Sequence, residues 1–447
     1  MNDVPRRKMM KEPEPDLLRS LTSATPPMPP DPPPRPRAPK LGTFSALDIG
    51  SSKICCLMGR LDSDGAIRVL GTGLNAAKGI RSGAIVDLDA ATDSIQRAVA
   101  EAENKSDQRV RDLWVNLSCG QPESHLFNVQ WPVGGRAVTE HDIRRVVQEG
   151  ARRAHVAGRD TIHVLPLMFT IDDTQGVADP RQMRCDQLSA RVHVIDAASS
   201  AVSNLLATVD RCRLEYPVLV SSPLASGLAT LVEDERELGA TVIDMGGGTT
   251  GMAVFAEGQL LHTAQLPVGG QHVTNDIARL LSTPVAQAER LKTLYGSAQP
   301  SPDDDREMLS ISLVGEEEHH VHKIPRSEVV RFIKPRLEET FELARARLEA
   351  ACLTRESGNR VVLTGGASQL AGAREMASRI LDRQVRLGKP AHLRGLPEFA
   401  SGPAFATAAG LLAWASGAGR LLPNVKIDED EQPTLLGRII NFLKERV

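Results

Sequence analysis

The sequence predicts an α/β chain built as a duplicated, two-lobed fold, and three short stretches predict it. Asp48-Ile49-Gly50-Ser51-Ser52-Lys53 sits between two apolar runs that read as strands. Asp244-Met245-Gly246-Gly247-Gly248-Thr249-Thr250 repeats the arrangement in the second half, and Thr364-Gly365-Gly366-Ala367 follows a later strand. Three consecutive glycines are poor strand and poor helix material. They suit a turn whose backbone amides approach an anion, because side-chain-free N–H groups form a nest for phosphate. An acid at each strand end could hold a metal ion that partners the phosphates. The alternative for a single turn is an ordinary glycine-rich hairpin; it is the repetition that points to a nucleotide held between two similar halves. Ser51, Ser52, Thr249 and Thr250 supply hydroxyl donors, and Lys53 supplies a positive charge or serves as a structural lysine. Gly365 and Gly366 would let an adenosine approach the backbone closely. The chain has no GxxxxGK[ST] loop and no GxGxxG opening a helix after the first strand, so neither a Walker P-loop nor a dinucleotide fold is expected.

At 447 residues the chain holds about three domain-sized units. A net charge of −3 argues against a nucleic-acid binder, and 3% aromatics leaves little for base stacking. The six cysteines are scattered without metal-site spacing and read as reduced, mostly buried thiols. The N-terminus shows no apolar core of a signal peptide.

Taken in order, 1–41 is a tail whose proline-rich part, 24–39, is expected to be disordered or polyproline II. Strands flank the first glycine turn, with further strands at 67–71 and 113–117 and a helix over 86–101. From 120 to 190 the texture becomes that of a small α+β insert. Its helix opens on Thr139, with strands at 126–129, 164–171 and 192–195. A helix over 197–206 and a strand at 218–220 return to the first lobe. The second lobe has a helix at 224–232, the strands around Asp244, and a strand at 259–266. A helix over 272–281 opening on Thr274 comes next, then a helix over 285–295 and an acidic stretch of low order at 303–305. A long helix covers 326–351, and a strand runs into Gly365-Gly366. Residues 400–419 carry no charge and match a membrane span in length. Their Ala and Gly content favours a buried helix instead.

Past a linker at 420–433, Pro433-Thr434 opens a short helix. Leu435, Leu436, Ile439, Ile440, Phe442 and Leu443 form one broad apolar face, with Arg438, Lys444 and Arg446 on or near the other. A tethered basic amphipathic helix suits an anionic membrane surface. Docking on the body, or on a partner, is the alternative. Six such side chains are worth about 9 kcal/mol before burial losses and helix formation are subtracted. One copy would hold weakly, and several copies on a polymer would hold by avidity.

These motifs resemble the actin/Hsp70/sugar-kinase ATPase superfamily. Asp48 to Lys53 is similar to its first phosphate motif, Asp244 to Thr250 to its second, and Thr364 to Ala367 to its adenosine motif. Ala288-Glu289-Arg290-Leu291-Lys292 resembles the helix whose Glu and Lys flank the adenosine, although Glu289 and Lys292 equally suit a solvated helix face. Within the superfamily the chain resembles the FtsA family of bacterial cell-division proteins. The resemblance rests on Glu233-Asp234-Glu235-Arg236-Glu237-Leu238-Gly239, on the stretch from Val268 to Ala278, on the place of the insert, and on the terminal helix. It covers 43–447; the proline-rich tail departs from it.

The resemblance implies an actin-like (ribonuclease H-like) fold. Subdomain 1A would occupy 42–119 and 191–221, with a 1C insert at 120–190. Subdomain 2A would occupy 222–271 and 336–400, with 2B at 272–335. The last helix of the fold would lie at 401–419 and a membrane helix at 434–447. It implies ATP and Mg2+ as cofactors, with Asp48 and Asp244 organising the ion through water. It implies a polymer on the cytoplasmic face of the inner membrane at the division site. There the protein would contact FtsZ through 2B, and neighbouring protomers and later division proteins through 1C. No residue stands out as a catalytic base, so at most a slow ATPase is expected. The alternatives are a pilus-assembly type of scaffold, a small-molecule kinase, or a chaperone. The insert and terminal helix count against a kinase, and the short stretch after 420 leaves no room for a chaperone's substrate domain.

Overall fold

The structure is a computed structural model that describes residues 42–417, except 216, 317–320, 354–356 and 392. The proline-rich tail and the terminal amphipathic helix, with Leu435, Leu436, Arg438, Ile439, Ile440, Phe442, Leu443, Lys444 and Arg446, lie outside the described residues.

β1 (Thr43–Ile49), β2 (Lys53–Leu61) and β3 (Ile67–Ala76) form an antiparallel meander. A small hairpin, β4 (Ile80–Arg81) and β5 (Ala84–Ile85), leads into α1 (Leu88–Ser106). Asp87 caps α1 by accepting from the amides of Asp89 and Ala90, and the helix ends on Asp107 at φ 53°. β6 (Asp112–Leu117) returns parallel to β1. Cys55 and Leu57 pack on one face of this sheet, and Ile54, Cys56 and Met58 pack with α1 on the other. Both faces are covered, so β2 reads as a continuous apolar run rather than an alternation.

The insert has the sheet order β7-β10-β8-β9, from β7 (Glu123–Pro132), β8 (Arg159–Ile171), β9 (Thr174–Val177) and β10 (Gln187–Ala198). α2 (Glu140–Ala154) packs on it through Ile143, Val146 and Val147. Thr139 opens α2 as expected, in a capping box with Asp142. β10 pairs with β7 and β8 along nearly its whole length, so it runs past the expected boundary at 190 to Ala198.

α3 (Ser199–Arg211) and β11 (Val218–Ser221), parallel to β6, complete the first lobe. α4 (Ser222–Thr230) and α5 (Glu233–Leu238) enter the second. There β12 (Ala240–Met245), β13 (Thr250–Ala256) and β14 (Gln259–Leu266) repeat the meander. α6 (Gly270–Leu280), α7 (Val285–Tyr295), a hairpin of β15 (Met308–Ile311) and β16 (His322–Pro325), and α8 (Arg326–Ala350) follow. β17 (Arg360–Thr364) lies parallel to β12. α9 (Ala373–Leu381) leads to β18 (Gln384–Leu387), parallel to β17. β19 (Leu393–Arg394) joins the edge of the first sheet, and α10 (Ala406–Ala415) ends the described fold.

The two large sheets read β11-β6-β1-β2-β3-β19 and β18-β17-β12-β13-β14. Their five shared positions have the same order and the same parallel and antiparallel senses. The duplication therefore holds at the level of topology.

Two expectations change. α6 starts at Gly270, and Thr274 lies inside it. Residues 303–305 form an ordered turn: Asp304 is 2% exposed, accepts from the amide of Ser301 at 2.7 Å, and pairs with Arg326 at 3.1 Å. The cysteines are mostly buried, as expected: four are buried, Cys212 is half-buried and Cys352 is exposed. The uncharged stretch at 400–419 supplies α10, which crosses α4. A Cβ on Gly410 would stand 1.7 Å from the carbonyl oxygen of Ala225. Small residues here serve close helix packing, and no helix among the described residues is long and apolar enough to cross a membrane.

Candidate functional site

The two glycine turns are copies in their hydrogen bonding. Gly50 N donates to the Lys53 carbonyl at 3.1 Å, and Gly246 N donates to the Thr249 carbonyl at 2.9 Å. In each case a Cβ on the glycine would crowd that same carbonyl, at 2.8 and 2.9 Å. Each turn joins the first two strands of its meander, so the duplicated topology aims both at one cleft of about 1650 Å³.

Asp48, Gly50, Ser51, Ser52 and Lys53 line the cleft from the first lobe. Asp244, Gly246, Gly247, Gly248 and Thr249 line it from the second, with Gly365, Gly366 and Ala367 beside them and Glu289 and Lys292 at its margin. Thr250 does not join them. It is buried on β13, and its hydroxyl donates to the Val268 carbonyl at 2.8 Å. Thr249 belongs to the turn before β13, whereas Thr250 is the first residue of the strand and turns into the lobe.

The turns almost touch. A Cβ on Gly248 would lie 2.4 Å from Ser51 Oγ and 2.7 Å from Ser82 Cα, and one on Gly247 would lie 3.0 Å from Ser52 Cβ. Gly269 is equally confined: a Cβ there would stand 2.7 Å from the carbonyl oxygens of both Gly246 and Gly247. Those carbonyls accept from the amides of Gly270 and Gln271 at 3.0 and 2.7 Å, which seats the second turn on the start of α6.

Burial pushes Asp48 up to about 6; nearby Lys53 opposes the shift and Asp244 adds to it. Burial also raises Asp244, against the hydroxyls of Ser226 and Thr407, which donate to its Oδ2, that of Thr407 at 2.9 Å. Two neighbouring carboxylates that burial disfavours as anions form a donor set suited to a hard divalent cation. Lys53 donates to the Ala404 carbonyl and lies 4.8 Å from the Phe405 ring centroid, so it also ties the first turn to the segment before α10. Lys292 donates to Glu289 at 2.7 Å, Thr274 Oγ1 at 2.8 Å and the Gly270 carbonyl at 3.2 Å. Burial raises Glu289, but its bonds from Lys292 and Thr274 bring it below the usual carboxylate range. Gly365 has φ 83°, and a Cβ there would stand 2.4 Å from Asp244 Oδ1.

Several residues lining or backing the cleft carried no local signal. Asn116 accepts from the Ile49 amide at 2.7 Å, which fixes the end of β1 next to Asp48. Ser226 and Thr407 come from α4 and α10. Ser82 is the tip of the β4–β5 hairpin, and the next amide, Gly83, donates to Ser51 Oγ at 2.9 Å. The Glu233 to Gly239 stretch stands away from the cleft: Arg386 holds Glu235 through Nε at 2.7 Å and anchors α5 to β18.

A family model described as "Cell division protein FtsA" matches residues 241–410, and one described as "SHS2 domain inserted in FTSA" matches residues 119–196. A cell division protein FtsA from Rhizobium meliloti is 42% identical over 381 residues, covering 83% of this chain and 86% of that protein. Those from Pseudomonas aeruginosa and Escherichia coli K12 are 35% and 32% identical, each covering 82% of this chain and 88% of the relative. Among solved structures, a PilM–PilN type IV pilus biogenesis complex superposes with a TM-score of 0.59 at 20% identity, covering 84% of this chain and 98% of that one. MreB 5 of Spiroplasma citri bound to AMPPNP superposes with a TM-score of 0.50 at 14% identity, over 85% and 98%. These likenesses show the actin-like fold. With curated relatives this similar over more than four-fifths of its length, the chain belongs to the FtsA family of cell division proteins.

Proposed function

We propose that the cleft binds ATP with Mg2+, and that the nucleotide sets the shape of a subunit that polymerises on the inner membrane. The observation that carries the nucleotide reading is the approach of Gly248 to Ser51. Two amide-bearing turns meet where no side chain fits, leaving backbone and hydroxyl donors for phosphates. The amides around Gly50 and Gly247, with Ser51, Ser52 and Thr249, would hold phosphate oxygens. Lys53 would add charge if it leaves Ala404. Gly365, Gly366 and Ala367 would take the adenosine between them and the Glu289–Lys292 pair. Asp48 and Asp244 fit Mg2+, which keeps several waters and takes one or two carboxylates; bound there, the ion would neutralise phosphate charge. No residue of the cleft is placed as a general base, so turnover would be slow.

The terminal helix at 434–447 would anchor the chain to anionic lipid on the cytoplasmic face. Subdomain 2B, about 272–335, would meet FtsZ. The insert would meet neighbouring protomers and later division proteins. Co-sedimentation with FtsZ and anionic vesicles tests this reading. The full chain with ATP is expected to carry FtsZ into the vesicle pellet, and a chain lacking 434–447 is expected to leave it in the supernatant. Equal pelleting by both would overturn the anchor. Undiminished ATP affinity in a Gly248→Val chain would overturn the phosphate role.

A further inference from the structure

Away from the cleft, three polar side chains converge where the insert joins the first lobe. Glu123 opens β7, and Asp196 lies directly across from it on β10. His125 stands two positions along β7, which places it on the same face of the sheet. His125 Nε2 is 3.2 Å from Asp196 Oδ2 and 3.9 Å from Glu123 Oε2. One ligand atom from each of the three lies within 4.8 Å of the others.

Asp196 is 2% exposed, and among the described residues its Oδ2 meets no donor beyond the 3.2 Å approach of His125 Nε2, which has no well-aligned hydrogen bond of its own. Its other oxygen is fully engaged: Arg159 on β8 holds Oδ1 from Nε at 2.8 Å and Nη2 at 2.7 Å. Arg159 Nη1 also lies 3.5 Å from Glu123 Oε1. The guanidinium thus orients the buried carboxylate and leaves its second oxygen aimed at the imidazole. Two carboxylates against one guanidinium leave negative charge for a cation to meet.

We infer that Glu123, His125 and Asp196 bind a divalent transition cation of the Zn2+ class. One imidazole nitrogen with two carboxylate oxygens suits such an ion. Two ligands of a tetrahedral ion, each about 2.1 Å from the metal, stand about 3.4 Å apart, and the His125–Asp196 separation is 3.2 Å. Glu123 is exposed and can swing the short distance needed, and water completes the shell. Arg159 takes the outer role that fixes a ligating carboxylate. None of these residues lines the nucleotide cleft. The ion would staple the first residue of the strand entering the insert to the strand leaving it, close to where β10 becomes α3.

The test uses the full chain, stripped with a chelator and titrated with ZnCl2, and with CoCl2 as a visible-absorption probe, in excess Mg2+. One tight equivalent is expected, with a Co2+ spectrum that Mg2+ does not suppress. His125→Ala and the isosteric, surface-exposed Glu123→Gln are each expected to weaken binding by more than about tenfold, the loss that even an outer-shell change can bring. Circular dichroism confirms that each variant is folded. Wild-type affinity in folded Glu123→Gln and His125→Ala chains would overturn the site, and the tight equivalent would then belong to donors elsewhere, such as Cys352 or His322. Absence of any tight equivalent would overturn it too, leaving His125 as an ion-pair partner of Asp196.

Discussion

Gln271 donates from Nε2 to the carbonyl of Ser51 at 3.0 Å, a bond that runs from the start of α6 in the second lobe to the glycine turn of the first. The two jaws of the cleft are therefore linked by hydrogen bonding as well as by steric contact. The bond couples the two turns through α6 (Gly270–Leu280), the helix that opens the region proposed to meet FtsZ.

The two central glycines of the second turn should differ in tolerance. A Cβ at Gly247 meets the side chain of Ser52 at 3.0 Å, but one at Gly248 meets Ser51 Oγ at 2.4 Å and the Ser82 backbone at 2.7 Å. Gly248→Val is expected to lower ATP affinity more than about a hundredfold, or about 2.7 kcal/mol, and Gly247→Ala by much less. Titration with a fluorescent ATP analogue compares them.

Asp142 holds the insert's helix and one of its loops together. It accepts from Arg136 at 2.5 and 2.6 Å, from Thr139 as the capping partner, and from Trp131 Nε1 at 3.3 Å. The Arg136 bonds place its carboxyl far below the usual range, so its contribution is present above about pH 4 and lost only in stronger acid. Asp142→Asn is expected to destabilise the insert by about 1–2 kcal/mol, since it weakens charge-assisted bonds from a half-exposed Arg136 to a buried carboxylate. Urea unfolding followed by Trp131 fluorescence measures the loss.

Acid should weaken the junction between insert and body through two histidines. Burial pushes His163 down to about 4; burial and the neighbouring His262 and His163 push His193 down to about 3. Both stay neutral in the fold, while in the unfolded chain they take up protons near pH 6.5. Stability is therefore complete above about pH 6.5 and falls as the pH drops from there toward the folded values, by up to about 1.4 kcal/mol per pH unit for each histidine. Urea midpoints at pH 7 and pH 5 check the slope, and His163→Gln should flatten it.

The crossing of α4 and α10 should tolerate no side chain at Gly410. Its Cβ would enter the space of the Ala225 carbonyl oxygen, a backbone atom that cannot move without displacing α4 and with it Ser226. Gly410→Val is expected to cost about 3 kcal/mol or more. The melting temperature and soluble yield report it, and a wild-type melting temperature would refute the packing argument.

The glycine turns, the meander strands and the helix start at Thr139 were legible because each is a local pattern with a local cause. An acid, glycines and hydroxyls between two apolar runs mean the same thing wherever the chain goes. That the pattern occurs twice was enough to predict two lobes. Other features depended on partners far away in sequence. Thr249 and Thr250 have the same chemistry, and only the point where the turn ends and β13 begins decides which one lines the cleft. Ser226 and Thr407 reach Asp244 because α4 and α10 cross within contact of β12. Asp196 meets His125 through the register of β10 on β7, and a shift of one residue would place them on opposite faces. Sequence by itself determined which residues could bind phosphate and how the lobes repeat, because backbone conformation and strand patterning are short-range. Tertiary structure alone decided which side chains share a site, because that depends on strand register and helix crossing.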